Sequence, residues 1–223
     1  MTQALFAYPK QALFGRVLPK NKIYQHAAPG TALKELFVQQ VEQIVWQYKL
    51  APETINLPAK PGVPEIQIFD ISLKTSELDQ AVLRCIDKSI PFPIVFQLHH
   101  DKRIKIIAAY KRPNEADSGK WVVDGYFASD WQAQDLIRQP LPVVLDLALL
   151  YEHMLRQLLP LPPRPGEALK QQIERWSQLQ SKQNEYQKLE ACLHKEKQFN
   201  RKVELNAQLR TLQAVIAALR NEE

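Results

Sequence analysis

Proline placement constrains this chain more than any other feature: there are 16 prolines, and none lies after Pro165. Residues 167–223 contain neither proline nor glycine and are dominated by Leu, Gln, Lys, Glu and Arg, all good helix formers. A continuous helix there would be about 85 Å long at 1.5 Å per residue. Its last part keeps 4-3 spacing through Leu205, Leu209, Leu212, Ile216 and Leu219, the pattern of a coiled-coil seam. The earlier part, with Leu169, Ile173, Trp176, Leu179, Tyr186, Leu189 and Leu193, is less regular. The register breaks at Phe199-Asn200, which leaves two forms open: a hairpin folded back there, or one long helix with a stutter. The run from Pro160 to Gly166 ahead of this arm reads as a stiff, extended hinge.

Before the hinge, residues 1–30 read as an extended N-terminal arm and residues 31–159 as an α+β domain. From Thr31, apolar residues at Leu33, Leu36, Phe37, Val41, Ile44, Val45 and Tyr48 predict one amphipathic helix running to about Leu50, where Pro52 ends it. A Pro-rich loop, 52–64, leads to a strand over Glu65–Leu73, whose switch of apolar phase at Ile68-Phe69 implies burial of both faces or a bulge. Thr75 or Ser76 then caps a helix burying Leu78, Val82, Cys85 and Ile86 and ending near Ser89. A strand at Ile94–Leu98, a hairpin tip at His100–Arg103, a strand at Ile104–Tyr110, a polar loop at 112–120 and a strand at Trp121–Phe127 follow. Together they predict a small mixed, largely antiparallel sheet packed with helices, with a last buried helix from about Pro142 to Leu159.

Several function classes drop out on composition and spacing. Six dispersed glycines build no phosphate loop, and no Gly-x-Ser-x-Gly occurs. Cys85 and Cys192 stand alone, and adjacent His99 and His100 on a strand face opposite ways, so no metal or cofactor site is expected. A restriction-type nuclease needs a carboxylate two residues before a lysine, and no lysine here has one. Asp70 and Lys74 read instead as an ion pair at a strand end. No apolar run is long enough to cross a bilayer and no secretory leader is visible, so a cytoplasmic chain is expected.

The 29 basic and 24 acidic residues give a net charge of only +5. Two basic clusters stand out: Lys102, Arg103 and Lys105 beside His99 and His100, and His194, Lys197, Arg201 and Lys202 around Phe199 and Asn200. Either is a candidate for phosphate contact, although a solvated face paired with acids such as Glu190 and Glu204 is the simpler reading. Trp176, Tyr186 and Phe199 read as packing rather than as a base-stacking platform.

Four strings, Trp46 to Asn56, Glu65 to Leu73, Ile86 to Ile94 and Glu196 to Asn206, resemble a bacterial family known only as domain of unknown function 4391. The resemblance covers nearly the whole chain. It implies a cytosolic protein encoded beside helicases and DNA methyltransferases of restriction-like defence clusters, and it carries no catalytic residue. It singles out Trp46, Tyr48, Lys49, Asn56, Asp87, Lys88, Asn200, Arg201 and Asn206 for mutation. The leading expectation is a non-catalytic adaptor that meets a protein partner, a DNA helicase or methyltransferase, or pairs with itself through its C-terminal helices. A nucleic-acid-binding subunit comes second and an unrecognised metal-dependent nuclease third.

Overall fold

The computed structural model describes residues 4–114 and 121–220; six positions of the polar loop expected at 112–120 lie outside the described residues. The chain forms two compact units, Met1–Leu158 and Leu159–Glu223.

The first unit opens with β1 (Phe6–Ala7), a single 3-10 turn, β2 (Leu13–Val17) and α1 (Lys20–Ala27), where the sequence suggests an extended arm. Ile23 on α1 is buried in the core, which is why this segment is ordered against the sheet. Helix α2 spans only Thr31–Gln40, and Val41–Leu50 is a strand, β3. The expectation of one helix from 31 to 50 is therefore corrected at its second half. Two lysines close the end of α2: Lys20 Nζ donates to the carbonyls of Phe37 (2.9 Å) and Val41 (2.6 Å), and Lys74 Nζ to that of Val38 (2.8 Å). The expected Asp70–Lys74 ion pair is accordingly not formed.

A short helix α3 (Pro52–Ile55) leads to β4 (Ile66–Leu73), α4 (Gln80–Ser89) and β5 (Ile94–His100). The cap of α4 is Asp79, accepting from the Ala81 N–H at 2.8 Å, rather than Thr75 or Ser76. β5 turns into β6 (Arg103–Pro113) through Asp101 and Lys102, both left-handed (φ 46° and 59°), as a two-residue hairpin requires. β7 (Trp121–Ala128), β8 (Gln132–Ala133), β9 (Gln139–Pro140) and α5 (Leu147–Arg156) complete the unit. Residues 142–146, expected in the last helix, are not helical: Asp146 caps α5 by accepting from the Leu149 N–H at 2.9 Å.

The sheet runs β2-β3-β4-β5-β6-β7, with β8 beside β6, and β1 pairs with β9 apart from it. Only β4 and β5 in the large sheet are parallel, joined through α4. Register sets two faces. Phe69, Ile71 and Leu73 align with Phe96 and Leu98 and pack with Phe37, Val82, Leu83 and Ile86 from the helices. Ile68, Asp70 and Ser72 align with Val95, Gln97 and His99 on the other face. β4 is thus covered on both faces, as its apolar phase implied.

The second unit is a helical hairpin, α6 (Leu169–Lys195) and α7 (Phe199–Arg220). Leu205, Leu209 and Leu212 are buried against α6, so the coiled-coil seam is covered within one chain. The Pro-rich run is held to the foot of this hairpin. Arg175 reaches Glu167 through Nε (2.7 Å) and Nη2 (2.8 Å), and also donates to the carbonyls of Pro162 (2.7 Å) and Leu219 (2.9 Å).

Candidate functional site

The sequence-selected Asp87 is buried at the end of α4. Its carboxylate and its carbonyl oxygen accept from Lys111 Nζ at 3.3 and 2.6 Å, and Tyr126 donates to the other carboxylate oxygen. Lys111 also donates to the Ile90 carbonyl, so one buried ammonium closes the C-terminal end of α4. A bulge between Ala109 and Lys111 leaves ladder groups without strand partners, and the Tyr151 hydroxyl fills the gap, donating to the Ala109 carbonyl and accepting from the Lys111 N–H. Burial pushes the Asp87 carboxyl up and the Lys111 ammonium down, each opposed by the charge of the other; burial likewise raises Tyr126 and Tyr151. Asp87, Lys111 and Tyr151 are buried and Tyr126 is half-buried, so the network ties α4, β6, β7 and α5 together from within. Lys88, next in sequence, is exposed.

A second polar group lies on the opposite sheet face, and sequence reading missed most of it. Gln97 Nε2 donates to Asp70 Oδ1 at 2.7 Å, Arg138 Nη1 donates to Gln97 Oε1 at 2.9 Å, and His99 Nε2 lies 3.4 Å from Asp70. Tyr8 stacks beside Tyr48, with ring centroids 4.8 Å apart, and burial raises its hydroxyl pKa. The available signal was a polar residue, Asp70 or Gln97, set among the apolar residues of each of two neighbouring strands.

The string from Trp46 to Asn56 is a folding device. A bulge between Trp46 and Tyr48 sends these side chains to opposite faces, and Trp46 Nε1 donates to the Tyr48 carbonyl at 3.0 Å. Lys49 pairs with Glu53 (2.7 Å) and Glu65 (3.3 Å). Thr54 Oγ1 accepts from the Ala51 N–H (2.9 Å) and donates to the Lys49 carbonyl (2.7 Å), and Asn56 ends α3 in the left-handed region (φ 55°). Asn56 also lines an open groove of about 570 Å³ with Ile55, Leu57, Leu141, Val143 and Val144. Val143, on the groove wall, is 104% exposed, and Ile137 and Leu145 of the same chain segment are 85% and 81% exposed.

The basic clusters fare differently. Arg103 and Lys105 lie over the Trp131 ring at 5.7 and 6.0 Å from its centroid, and Lys102 projects from the turn. His194, Lys197, Asn200, Arg201, Lys202 and Asn206 are all exposed around the hairpin tip. Trp176 and Tyr186 are half-buried, as packing residues should be, but Phe199 is 78% exposed. Glu65 and Asp70 do not converge: one is paired to Lys49 and the other to Gln97. Among the described residues, no group of three or more His, Cys, Asp or Glu is placed to hold a metal ion, and no helix is long and apolar enough to cross a membrane.

A family model described as domain of unknown function (DUF4391) matches residues 6–216. The chain belongs to the DUF4391 family. Neither a curated protein nor a solved structure matches it. The DUF4391 match spans the sheet, the buried Asp87 network and nearly all of the hairpin, and it brings no assigned reaction.

Proposed function

We propose that this DUF4391 protein is a non-catalytic accessory subunit that docks a partner protein through the groove beside α3 and the segment 136–149. The exposure of Ile137, Val143 and Leu145 carries this reading. Single exposed apolar residues are ordinary. Three within nine residues, in a segment that carries Pro140 and Pro142 and places Val143 on the wall of a formed groove, give the density of exposed apolar surface that interaction sites have. The resemblance to proteins encoded beside restriction-like helicases and DNA methyltransferases supports a DNA-processing assembly as the setting.

The test is co-purification of the full chain with a helicase and a DNA methyltransferase of the restriction-like kind that the resemblance implies, taken from the same host. Val143→Asp with Leu145→Asp is expected to abolish co-elution while leaving the circular dichroism and Tm unchanged, because neither side chain is in the core. Undiminished co-elution of the double variant, or no co-elution of the unaltered chain, would sink the reading.

A further inference from the structure

We infer that the outer face of the first half of α7 binds single-stranded nucleic acid, through residues distinct from the groove proposed above. Phe199, Val203, Asn206 and Arg210 follow at spacings of four, three and four and share one face, with Lys202 at its border toward the Leu205, Leu209 and Leu212 seam. Phe199 and Val203 are 78% and 53% exposed, so this face holds an aromatic ring that no neighbour covers.

Charge complementarity selects the occupant. From 196 to 210 the chain carries Lys197, Arg201, Lys202 and Arg210 against Glu196 and Glu204, and Glu196 lies in the field of Arg201 and Lys202. Glu204 pairs with Arg201 at 2.9 Å, and Lys197, Lys202 and Arg210 have no carboxylate partner among the described residues. Three cations outside any ion-pair contact, spread along the stretch that carries an exposed ring, match a strand of phosphates whose bases are free to stack, the combination used by binders indifferent to sequence. The ligand is held by side chains rather than by the helix terminus, because Glu196 already accepts from the N–H groups of Lys197 (2.7 Å) and Gln198 (2.9 Å).

The experiment is fluorescence anisotropy of a labelled oligothymidylate of about 15 nucleotides with the full chain over a range of KCl concentrations. Neutralising three phosphates predicts a slope of about 2 in log Kd against log salt, at about 0.7 per phosphate on a single strand. Phe199→Ala should weaken binding by about 5- to 100-fold, and Lys202→Glu with Arg210→Glu should abolish it, both with unchanged helicity. The inference is overturned by absence of binding, by an unaffected Phe199→Ala variant, by equal or tighter binding of a duplex of the same length, or by phosphatidylserine vesicles binding at lower concentrations than the oligonucleotide.

Discussion

The two units solve the same problem, an ion pair kept out of water, in opposite settings. In the α+β unit, Asp87 and Lys111 sit inside a core of closely packed aromatic and branched side chains, with every donor of the ammonium satisfied by α4. In the hairpin, Arg175 and Glu167 supply a clamp at the foot, and between foot and tip only a narrow row of leucines is buried. A deep core distributes stability over the whole unit; a clamped hairpin grades it from one end to the other. The difference explains why the hairpin tip is free to display an aromatic ring.

The largest blow to the contrast is Lys111→Met. Removing one partner leaves a buried carboxylate unpaired, with an expected loss of about 4 kcal/mol in chemical denaturation. Adding Asp87→Asn should recover about half, since the amide still accepts from Tyr126. Next comes Arg175→Ala, expected to cost about 3 kcal/mol and to be seen as faster hydrogen exchange confined to α6 and α7. This pair also gives the hairpin its pH dependence. Hydrogen bonds from Arg175 hold the Glu167 carboxyl below its ordinary 4.5. The contribution is therefore complete above about pH 4.5, and is lost as the pH falls through the lower folded value; Arg175→Ala should remove that acid-side loss. Leu209→Ala should cost about 2 kcal/mol, less than a leucine in the α+β core because the thin seam can close around it. Smallest is Thr54→Ala, about 1 kcal/mol by thermal melting, since it deletes the cap of a four-residue helix on the surface of the deep unit.

How much of this was legible depended on whether periodicity survived local irregularity. β4 and the β5–β6 hairpin were readable because β-branched and aromatic residues dominate their runs and the turn is two residues long. β3 was not. Register shifts between Val41 and Gln43 and between Trp46 and Tyr48 move its side chains across the sheet, and the result, apolar residues at 41, 44, 45 and 48, imitates a helical period. The hairpin was one of two forms compatible with the break at Phe199, and intrachain burial of the leucines decides between them. Asp87 was singled out only through the family resemblance. Its partners Lys111 and Tyr126 lie 24 and 39 residues away, and Lys111 reaches it from beside a bulge that no spacing rule encodes.

The pairing of β1 with β9 has a consequence for synthesis. Phe6 meets Gln139, so the first strand waits for a partner made 133 residues later. At typical elongation rates that delay is roughly 7 to 27 seconds. Leu5 and Phe6, buried in the finished protein, lack their β9 partner for that interval. A nascent chain stalled before residue 139 therefore carries an apolar segment without its strand partner, a form open to chaperones and proteases.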